Sequence, residues 1–201
     1  MLHLLVATHN RHKTAEIRAI LTPEFVVTDL QSHPDLPQPA ETGETFAENA
    51  IIKAEVVSRV CAGFVLADDS GLEVDGLGGA PGIRSARYAG ETATDAENRA
   101  KLLRELAAAE ARGKRRSARF RCVIAVAREG AVLRTFDGMV EGVIINAERG
   151  AGGFGYDALF VPAGYCETFA QIPRATKNRI SHRALALAQF RQSFLARLAE
   201  R

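Results

Sequence analysis

The chain has 201 residues, of which 47% are hydrophobic and 25% are charged, and its formal net charge is +2. This composition is ordinary for a soluble globular protein, and a chain of this length can bury a core without a disulfide or a structural metal. A net charge so close to zero does not indicate a general nucleic-acid binder. No apolar run approaches the roughly 18 residues of a membrane span, and the N-terminal apolar run is too short for a signal sequence. We therefore expect a cytoplasmic protein without nucleic-acid or membrane partners.

The three cysteines, Cys61, Cys122 and Cys166, are far apart and form no C-x-x-C pair for zinc or redox chemistry. Cys61 and Cys122 lie in apolar runs, so we expect both to be buried free thiols. The cysteines fit a reducing compartment and indicate no metal site.

The first third of the chain shows strand and helix patterns in alternation. The first helix has Asn10 as a plausible N-cap, and Thr45 with Glu48 forms a capping box that begins the next helix after a proline-rich loop. Strands are predicted from short apolar runs at residues 2–7, 25–30 and 64–67.

The rest of the chain predicts more of both elements. Thr94 and Glu97 form a second capping box, and the helix that follows stops at Gly113. Residues 118–145 are typical of strands joined at Glu129-Gly130, and a short strand is expected at 158–161. Ser181 is predicted to cap a last helix with one apolar stripe, formed by Leu187, Phe190, Phe194, Leu195 and Leu198. The fold class is mixed α/β with at least one β-hairpin.

A first candidate site is the segment "THNRHK", which joins a buried strand to a helix. A helix N-terminus presents unpaired N–H groups and partial positive charge, so it attracts phosphate, and a lysine adds a full charge. An ordinary turn with a surface lysine is the alternative, since the segment has no glycine-rich phosphate loop. The residues concerned are Thr8, His9, Asn10, Arg11, His12 and Lys13.

A second candidate is the pair Asp68 and Asp69, which follows the buried strand at 64–67. A buried carboxylate is costly unless it binds a cation or accepts several hydrogen bonds, and an adjacent carboxylate adds repulsion. If the strand continues, the two side chains point to opposite faces and need not share a role. Oxygen ligands indicate a hard cation such as Mg²⁺, with Glu41 as a further ligand. An Asx turn at residues 69–71 is the structural alternative.

Other charged and aromatic residues are weaker candidates. Lys53 stands among apolar neighbours on a predicted helix, where a lysine either extends to solvent or meets an anion. Glycines around Phe154 would let backbone approach a flat ligand, and its ring could stack on a base, although Phe154 could equally belong to the core. Lys177, His182 and Arg183 gather donors near the last helix, or simply flank a helix cap.

Five motifs occur together in one order: "ATHNRHKTAEI", "ETGETFAENAIIKA", "ADDSGLEVDGLGGAPGIRSARYAG", "GGFGYDALF" and "KNRISHRALAL". In this combination the chain resembles the inosine/xanthosine triphosphate pyrophosphatases over nearly its whole length. The resemblance implies one domain spanning residues 1–201, with an elongated α/β fold, a mixed twisted sheet flanked by helices, and two lobes around a central nucleotide-binding cleft. It also implies a homodimer and Mg²⁺-dependent hydrolysis of dITP, ITP, XTP and dXTP to the monophosphate and pyrophosphate.

The resemblance also implies roles for individual residues. Asp69 falls on the general base and metal ligand, Lys53 on a catalytic phosphate contact, and Glu41 on a metal position, while Asp68 is a metal or supporting residue. The segment 8–13 falls on the phosphate-binding turn. Further substrate contacts are implied for Ser70, Phe154, Gly155, Tyr156, Asp157, Lys177, His182 and Arg183.

The chain departs from the family pattern in two places. His9 replaces a small residue in the first motif, so it either donates to a phosphate or points outward. The sequence "AQIPRAT" before Lys177 lacks the usual acidic residues and serine, which changes the expected shape of that loop.

Discrimination against ATP would come from donors facing the six-keto group of hypoxanthine or xanthine, supplied by His182, Arg183 or backbone N–H groups. Two other classes stay open: a hydrolase of broader or modified-nucleotide specificity, and a nucleotide sensor without turnover. A nucleic-acid role has only the basic run at 112–121 in its favour, and a helix end followed by a strand start explains that run more simply.

Overall fold

The structure is a computed structural model, and it describes the backbone of residues 2–199 and the side chains of residues 2–194. Within this range the elements follow the predicted alternation. The strands are β1 (Leu2–Val6), β2 (Phe25–Asp29), β3 (Phe64–Val74), β4 (Ser117–Arg128), β5 (Ala131–Ile144) and β6 (Phe160–Pro162). The helices are α1 (Arg11–Leu21), α2 (Phe46–Ser58), α3 (Asp95–Glu110), α4 (Arg174–Ile180) and α5 (His182–Ala199).

The strands form one mixed sheet in the order β2-β1-β3-β4-β5-β6. β1 runs parallel to both β2 and β3, whereas β5 and β6 are antiparallel. Helices flank the sheet, so the predicted mixed α/β class is confirmed. None of the described helices is long and apolar enough to cross a membrane.

The helix caps follow the predictions with one difference. Asn10 Oδ1 accepts hydrogen bonds from the N–H groups of His12 and Lys13, and Thr94 with Glu97 forms the full capping box of α3. At α2, Thr45 Oγ1 accepts from the Glu48 N–H, but the Glu48 carboxylate accepts from the N–H of Glu44 rather than of Thr45. The Glu48 carboxylate therefore binds the N–H one residue before the one that a standard capping box uses.

Two predicted boundaries are wrong. The strand expected at 64–67 continues as β3 through both aspartates to Val74, because cationic partners satisfy the buried carboxylates that were expected to end it. The predicted loop before Lys177 contains a short helix, α4, which begins after Pro173. The hairpin turn at Glu129-Gly130 is confirmed, with both residues at positive φ, 55° and 80°.

The chain divides into two compact units. The first unit comprises Met1–Asp69, Cys122–Gly138 and His182–Arg201, and the second comprises Ser70–Arg121 and Met139–Ser181. Leu4, Ile17 and Phe190 lie in the core of the first unit, whereas Leu102 and Phe160 lie in that of the second. In the predicted stripe of α5, Leu187 and Phe190 are buried and Phe194 packs against them. The side chains of Leu195 and Leu198 lie outside the described residues.

The cysteines are free thiols in three different environments. Cys122 is fully buried, as predicted, but Cys61 is partly exposed because it follows the end of α2 and lies in a turn. Cys166 is exposed.

Candidate active site

The side chain of Asp68 forms the centre of a buried charged network in the first unit. Asp68 Oδ1 lies 2.5 Å from Lys13 Nζ, and Oδ2 accepts hydrogen bonds from Arg183 Nε at 2.8 Å and from Cys122 Sγ at 3.0 Å. Burial alone would raise the pKa of Asp68, but the charges of Arg183 and Lys13 outweigh burial and hold that pKa well below its ordinary value. Asp68 is therefore an ionised residue that organises two cations.

Arg183 lies inside this network and is only 1% exposed. Its guanidinium also donates from Nη1 to Glu16 on α1. The carboxylates of Glu16 on α1 and Asp68 on β3 therefore both bind the guanidinium. Burial opposes the charged form, but Asp68 and Glu16 outweigh it and raise the pKa of Arg183 above its ordinary value. Arg183, which was predicted to donate to the substrate, is thus part of the buried charged network that also contains Lys13.

The side chain of Asp69 belongs to a second network, centred on Lys53 of α2. Lys53 Nζ lies 2.8 Å from Asp69 Oδ1, 3.0 Å from Glu41 Oε1 and 2.8 Å from the backbone carbonyl oxygen of Asp68. Burial lowers the pKa of Lys53, yet the charges of Asp69 and Glu41 outweigh that effect and raise it overall. The structure therefore brings together Lys53, Asp69 and Glu41. Ligand chemistry had already suggested Glu41 as a partner of the aspartates, whereas only the family resemblance joined Lys53 to them.

Asp69 has the properties of a base that also retains free acceptor capacity. Burial raises the pKa of Asp69, although Lys53 and Lys13 offset part of the effect. Asp69 Oδ2 is buried and accepts no hydrogen bond from the described residues. An unsatisfied carboxylate oxygen beside Glu41 fits a hard cation or a water molecule.

No group of three or more His, Cys, Asp or Glu side chains that could hold a metal occurs among the described residues. Of the predicted ligands, Asp69 and Glu41 both contact Lys53 Nζ, whereas Asp68 contacts Lys13 and Arg183. This arrangement favours the supporting role for Asp68 and leaves two carboxylates for a metal. Magnesium commonly uses one or two protein carboxylates together with phosphate oxygens and water.

The turn before α1 is held in shape by a residue that the sequence analysis missed. Gln31 Nε2 donates to the His9 carbonyl oxygen at 2.6 Å, and Arg11 Nε donates to Gln31 Oε1 at 2.7 Å. Thr8 Oγ1 accepts from the Asn10 N–H at 3.1 Å. The side chains of His9 and His12 are exposed. Gln31 lies just after β2, and nothing in the sequence pattern indicates that it reaches this turn.

In the second unit, Asp157 organises the segment around Phe154. Asp157 Oδ2 accepts from the Phe154 N–H at 2.9 Å and lies 2.5 Å from Lys177 Nζ, and both charged side chains are buried. Lys177 Nζ also stands 5.1 Å from the centre of the Phe154 ring, a cation–π distance. Asp157, Lys177 and Phe154 therefore form one connected group.

The remaining predicted substrate residues differ in accessibility. Tyr156 is buried and donates its hydroxyl to the Ser85 carbonyl oxygen at 2.9 Å, and Gly155 N–H donates to Asp95 at 2.6 Å. Ser70 is half-buried and His182 is buried. The Tyr156 hydroxyl and the Gly155 N–H therefore have structural partners within the second unit.

A mixed α/β fold, a capped helix N-terminus, lysines held by carboxylates and a partly unsatisfied buried aspartate together define a phosphate-handling enzyme. The sequence matches the Ham1 family over residues 4–193, and the chain belongs to that family.

Relatives with similar sequences and structures are known. The chain is 48% identical to a dITP/XTP pyrophosphatase of Geobacter sulfurreducens over 94% of each chain, and 47% identical to one of Bacillus licheniformis over 93% of this chain and 95% of the relative. A solved structure of a HAM1 protein from Coxiella burnetii is 41% identical, with a TM-score of 0.86 over 98% of this chain and 100% of that one.

Proposed function

We propose that this protein hydrolyses the non-canonical purine nucleotides dITP, ITP, XTP and dXTP to the monophosphate and pyrophosphate. One observation carries the chemistry: buried Asp69 has a raised pKa, one oxygen bound to Lys53 and the other without a hydrogen-bond partner among the described residues. The substrate class rests on the relatives named dITP/XTP pyrophosphatase. Hydrolysis of these nucleotides would keep them out of DNA and RNA.

A divalent cation, which we propose to be Mg²⁺, fits beside Asp69 and Glu41. These two carboxylates would bind the ion, with phosphate oxygens as further ligands. The contacts of Lys53 Nζ with both carboxylates show that the pair accommodates positive charge. When bound, the ion would offset the negative charge of the triphosphate.

Asp69 would act as the general base. Its free Oδ2 would accept a proton from water while the water oxygen attacks the α-phosphorus, and the bond to the bridging oxygen would break with its electron pair leaving on pyrophosphate. Because burial raises the pKa of Asp69, this carboxylate is a stronger base than an exposed aspartate.

Lys53 and the turn of residues 8–13 would position the phosphates. Phosphoryl transfer depends mainly on positioning and charge neutralisation, and both the N-terminus of α1 and Lys13 supply positive potential to that turn. Asp68 holds Lys13 in place from the protein side.

Base recognition would use the Phe154 group of the second unit, with the ring as a stacking surface and Lys177 as a donor. A donor to the six-keto oxygen would come from His182 or from backbone N–H groups, since Arg183 already donates to Asp68 and Glu16. We also propose that the substrate is contacted directly by Ser70, Gly155, Tyr156 and Asp157. This proposal rests on the family pattern alone.

We also propose that residues 1–201 act as one functional domain, and that the protein is a cytoplasmic homodimer. Sedimentation equilibrium measures the dimer directly, and a single species of about one chain mass would contradict it.

The decisive experiment is a nucleotide panel with products scored as pyrophosphate or phosphate, run with Mg²⁺ and with EDTA. We expect pyrophosphate from dITP and XTP with Mg²⁺, little turnover of dATP and dGTP, and none with EDTA. Equal turnover of canonical nucleotides would favour a broader hydrolase instead. Binding of dITP without single-turnover hydrolysis would favour a nucleotide sensor.

A further inference from the structure

Among the described residues, Cys122 is an uncharged side chain that contacts the buried Asp68 carboxylate. It lies on β4 in the apolar core of the first unit, with 0% of its surface exposed. Its Sγ atom stands 3.0 Å from Asp68 Oδ2, within the range of a hydrogen bond from a thiol.

The direction of this hydrogen bond is fixed by the protonation of the two groups. Asp68 is an ionised acceptor without a proton to donate, since Lys13 and Arg183 both face it. Burial raises the pKa of the Cys122 thiol well above its ordinary value, and the Asp68 charge raises it further. The thiol therefore keeps its proton and donates it to Oδ2.

The thiol binds the Asp68 carboxylate from a third element of the fold. Lys13 occupies Oδ1 and Arg183 donates mainly to Oδ2, so these cations approach from α1 and α5. Cys122 approaches from β4 and limits rotation of the carboxylate about its own axis. A buried carboxylate held on three sides keeps one orientation, and the positions of its cations follow from that orientation.

We propose that Cys122 is a positioning residue for the reaction: its thiol fixes Asp68, and Asp68 in turn fixes Lys13 at the phosphate-binding turn and Arg183 behind it. This inference rests on the proposed function for the role of Lys13. It assigns a task to a cysteine that forms no disulfide and has no access to solvent.

Alanine and serine at position 122 test the hydrogen bond. Alanine removes the γ atom and with it the donor, whereas serine keeps a γ atom that can donate to Asp68. The changes are made in a Cys61→Ala/Cys166→Ala background, whose wild-type-like activity is the control, since neither cysteine contacts the charged networks.

For Cys122→Ala we expect KM for dITP to rise about 3- to 10-fold relative to the background, the range for loss of an ordinary hydrogen bond, since a thiol is a weak donor. Cys122→Ser should keep KM within about 2-fold of the background, because the hydroxyl replaces the donor. A purely structural role would lower kcat through loss of folded enzyme and leave KM unchanged. An unchanged KM in Cys122→Ala, or an equal rise in both variants, would overturn the proposal.

A second measurement does not depend on turnover. In the double-alanine background Cys122 carries the only thiol, so its S–H stretching band can be read by infrared spectroscopy without overlap. We expect a narrow band at lower frequency in the folded protein than in the same protein unfolded in guanidinium. A band at the unfolded frequency contradicts the hydrogen bond even if the variants fold poorly. Absence of dITP hydrolysis by the wild-type protein would refute the proposed function and leave this band unaffected.

Discussion

Asp68 and Asp69 are adjacent in β3, yet their carboxylates bind different cations. Asp68 faces Lys13 and Arg183, whereas Asp69 faces Lys53. Successive side chains of a strand point to opposite faces, so continuation of β3 through the pair separates their partners. Asp68 binds the cations Lys13 and Arg183, whereas Asp69 keeps one carboxylate oxygen without a hydrogen-bond partner among the described residues.

Asp69→Asn should lower kcat for dITP by roughly 10²- to 10⁴-fold, because the amide cannot accept the proton of water. Thermal unfolding should change little, since Lys53 keeps Glu41 as an ionic partner and the amide oxygen can still accept from Lys53. Asp68→Asn is the matched comparison, and it should destabilise the protein by about 3–5 kcal/mol, because buried Arg183 loses one of its two ionic partners and Lys13 loses the contact with Asp68. Urea unfolding of both variants measures the contrast. Near wild-type turnover by Asp69→Asn would contradict its assignment as the base.

Lys53→Gln should reduce kcat/KM strongly, whereas the affinity for Mg²⁺ should not fall, because removal of a positive charge beside two carboxylates favours a bound cation. The lysine bridges Asp69 and Glu41, and its loss removes one positive charge near the phosphates while leaving two carboxylates with no bridge. Lys114→Gln is a suitable control, because Lys114 is exposed and remote in sequence from both networks. Steady-state kinetics at several Mg²⁺ concentrations makes the comparison. Equal kinetics for the two variants would exclude a catalytic role for Lys53.

The starts of the helices could be predicted from the sequence, whereas the contacts between buried residues far apart in the chain could not. Asn10 and Thr94 mark helix starts because capping depends on neighbouring residues. By contrast, Glu16 and Arg183 meet across 167 positions, and Cys122 and Asp68 across 54. Helical spacing predicts which face Glu16 occupies, but no local rule says which distant residue packs there. The end of β3 was misjudged for the same reason, since the cations that satisfy its aspartates lie on other elements.

The pair Asp157 and Lys177 should show strong thermodynamic coupling. Both side chains are buried, so Asp157→Asn removes the counter-charge of Lys177 and should cost about 3–5 kcal/mol in unfolding free energy. The double variant Asp157→Asn/Lys177→Met should recover part of that loss, because no uncompensated charge remains at the pair. A double-mutant cycle by urea unfolding gives the coupling energy. Additive effects of the two changes would show that the ion pair is not the main determinant.

Gly138→Ala should destabilise the protein by about 1–3 kcal/mol or more, as overpacking does. A β-carbon at Gly138 would lie 2.1 Å from the His182 carbonyl oxygen and 2.5 Å from the Ala186 N, so β5 or the start of α5 has to move. That movement would displace Arg183 as well. Gly78→Ala is the control, since a β-carbon there meets nothing within 4 Å and only its φ of +63° is strained. Thermal denaturation ranks the two, and a milder effect for Gly138→Ala would contradict the close approach.

The three thiols should react with iodoacetamide at different rates at neutral pH. Cys166 is exposed and should be alkylated readily, whereas burial and a pKa raised well above its ordinary value should protect Cys122. Burial also raises the pKa of Cys61, so it should react more slowly than Cys166. Pulsed labelling and mass spectrometry of the digested protein measure the order, and labelling in guanidinium provides the control. Rapid labelling of native Cys122 would contradict its burial.

The pairing of β1 with β3 has a consequence beyond holding the sheet together. Leu4, Leu5 and Val6 pair with Phe64, Val65 and Leu66, and this register sets which face each later residue of β3 presents. A slip of one residue would turn Asp69 toward the side of Arg183 and Asp68 toward that of Lys53. An inserted alanine among residues 64–66 would therefore move Asp68 to the place of Asp69 and Ala67 to that of Asp68, so that Lys13 and Arg183 would face a methyl group. The pairing of apolar residues in β1 and β3 thus determines which acid meets which cation.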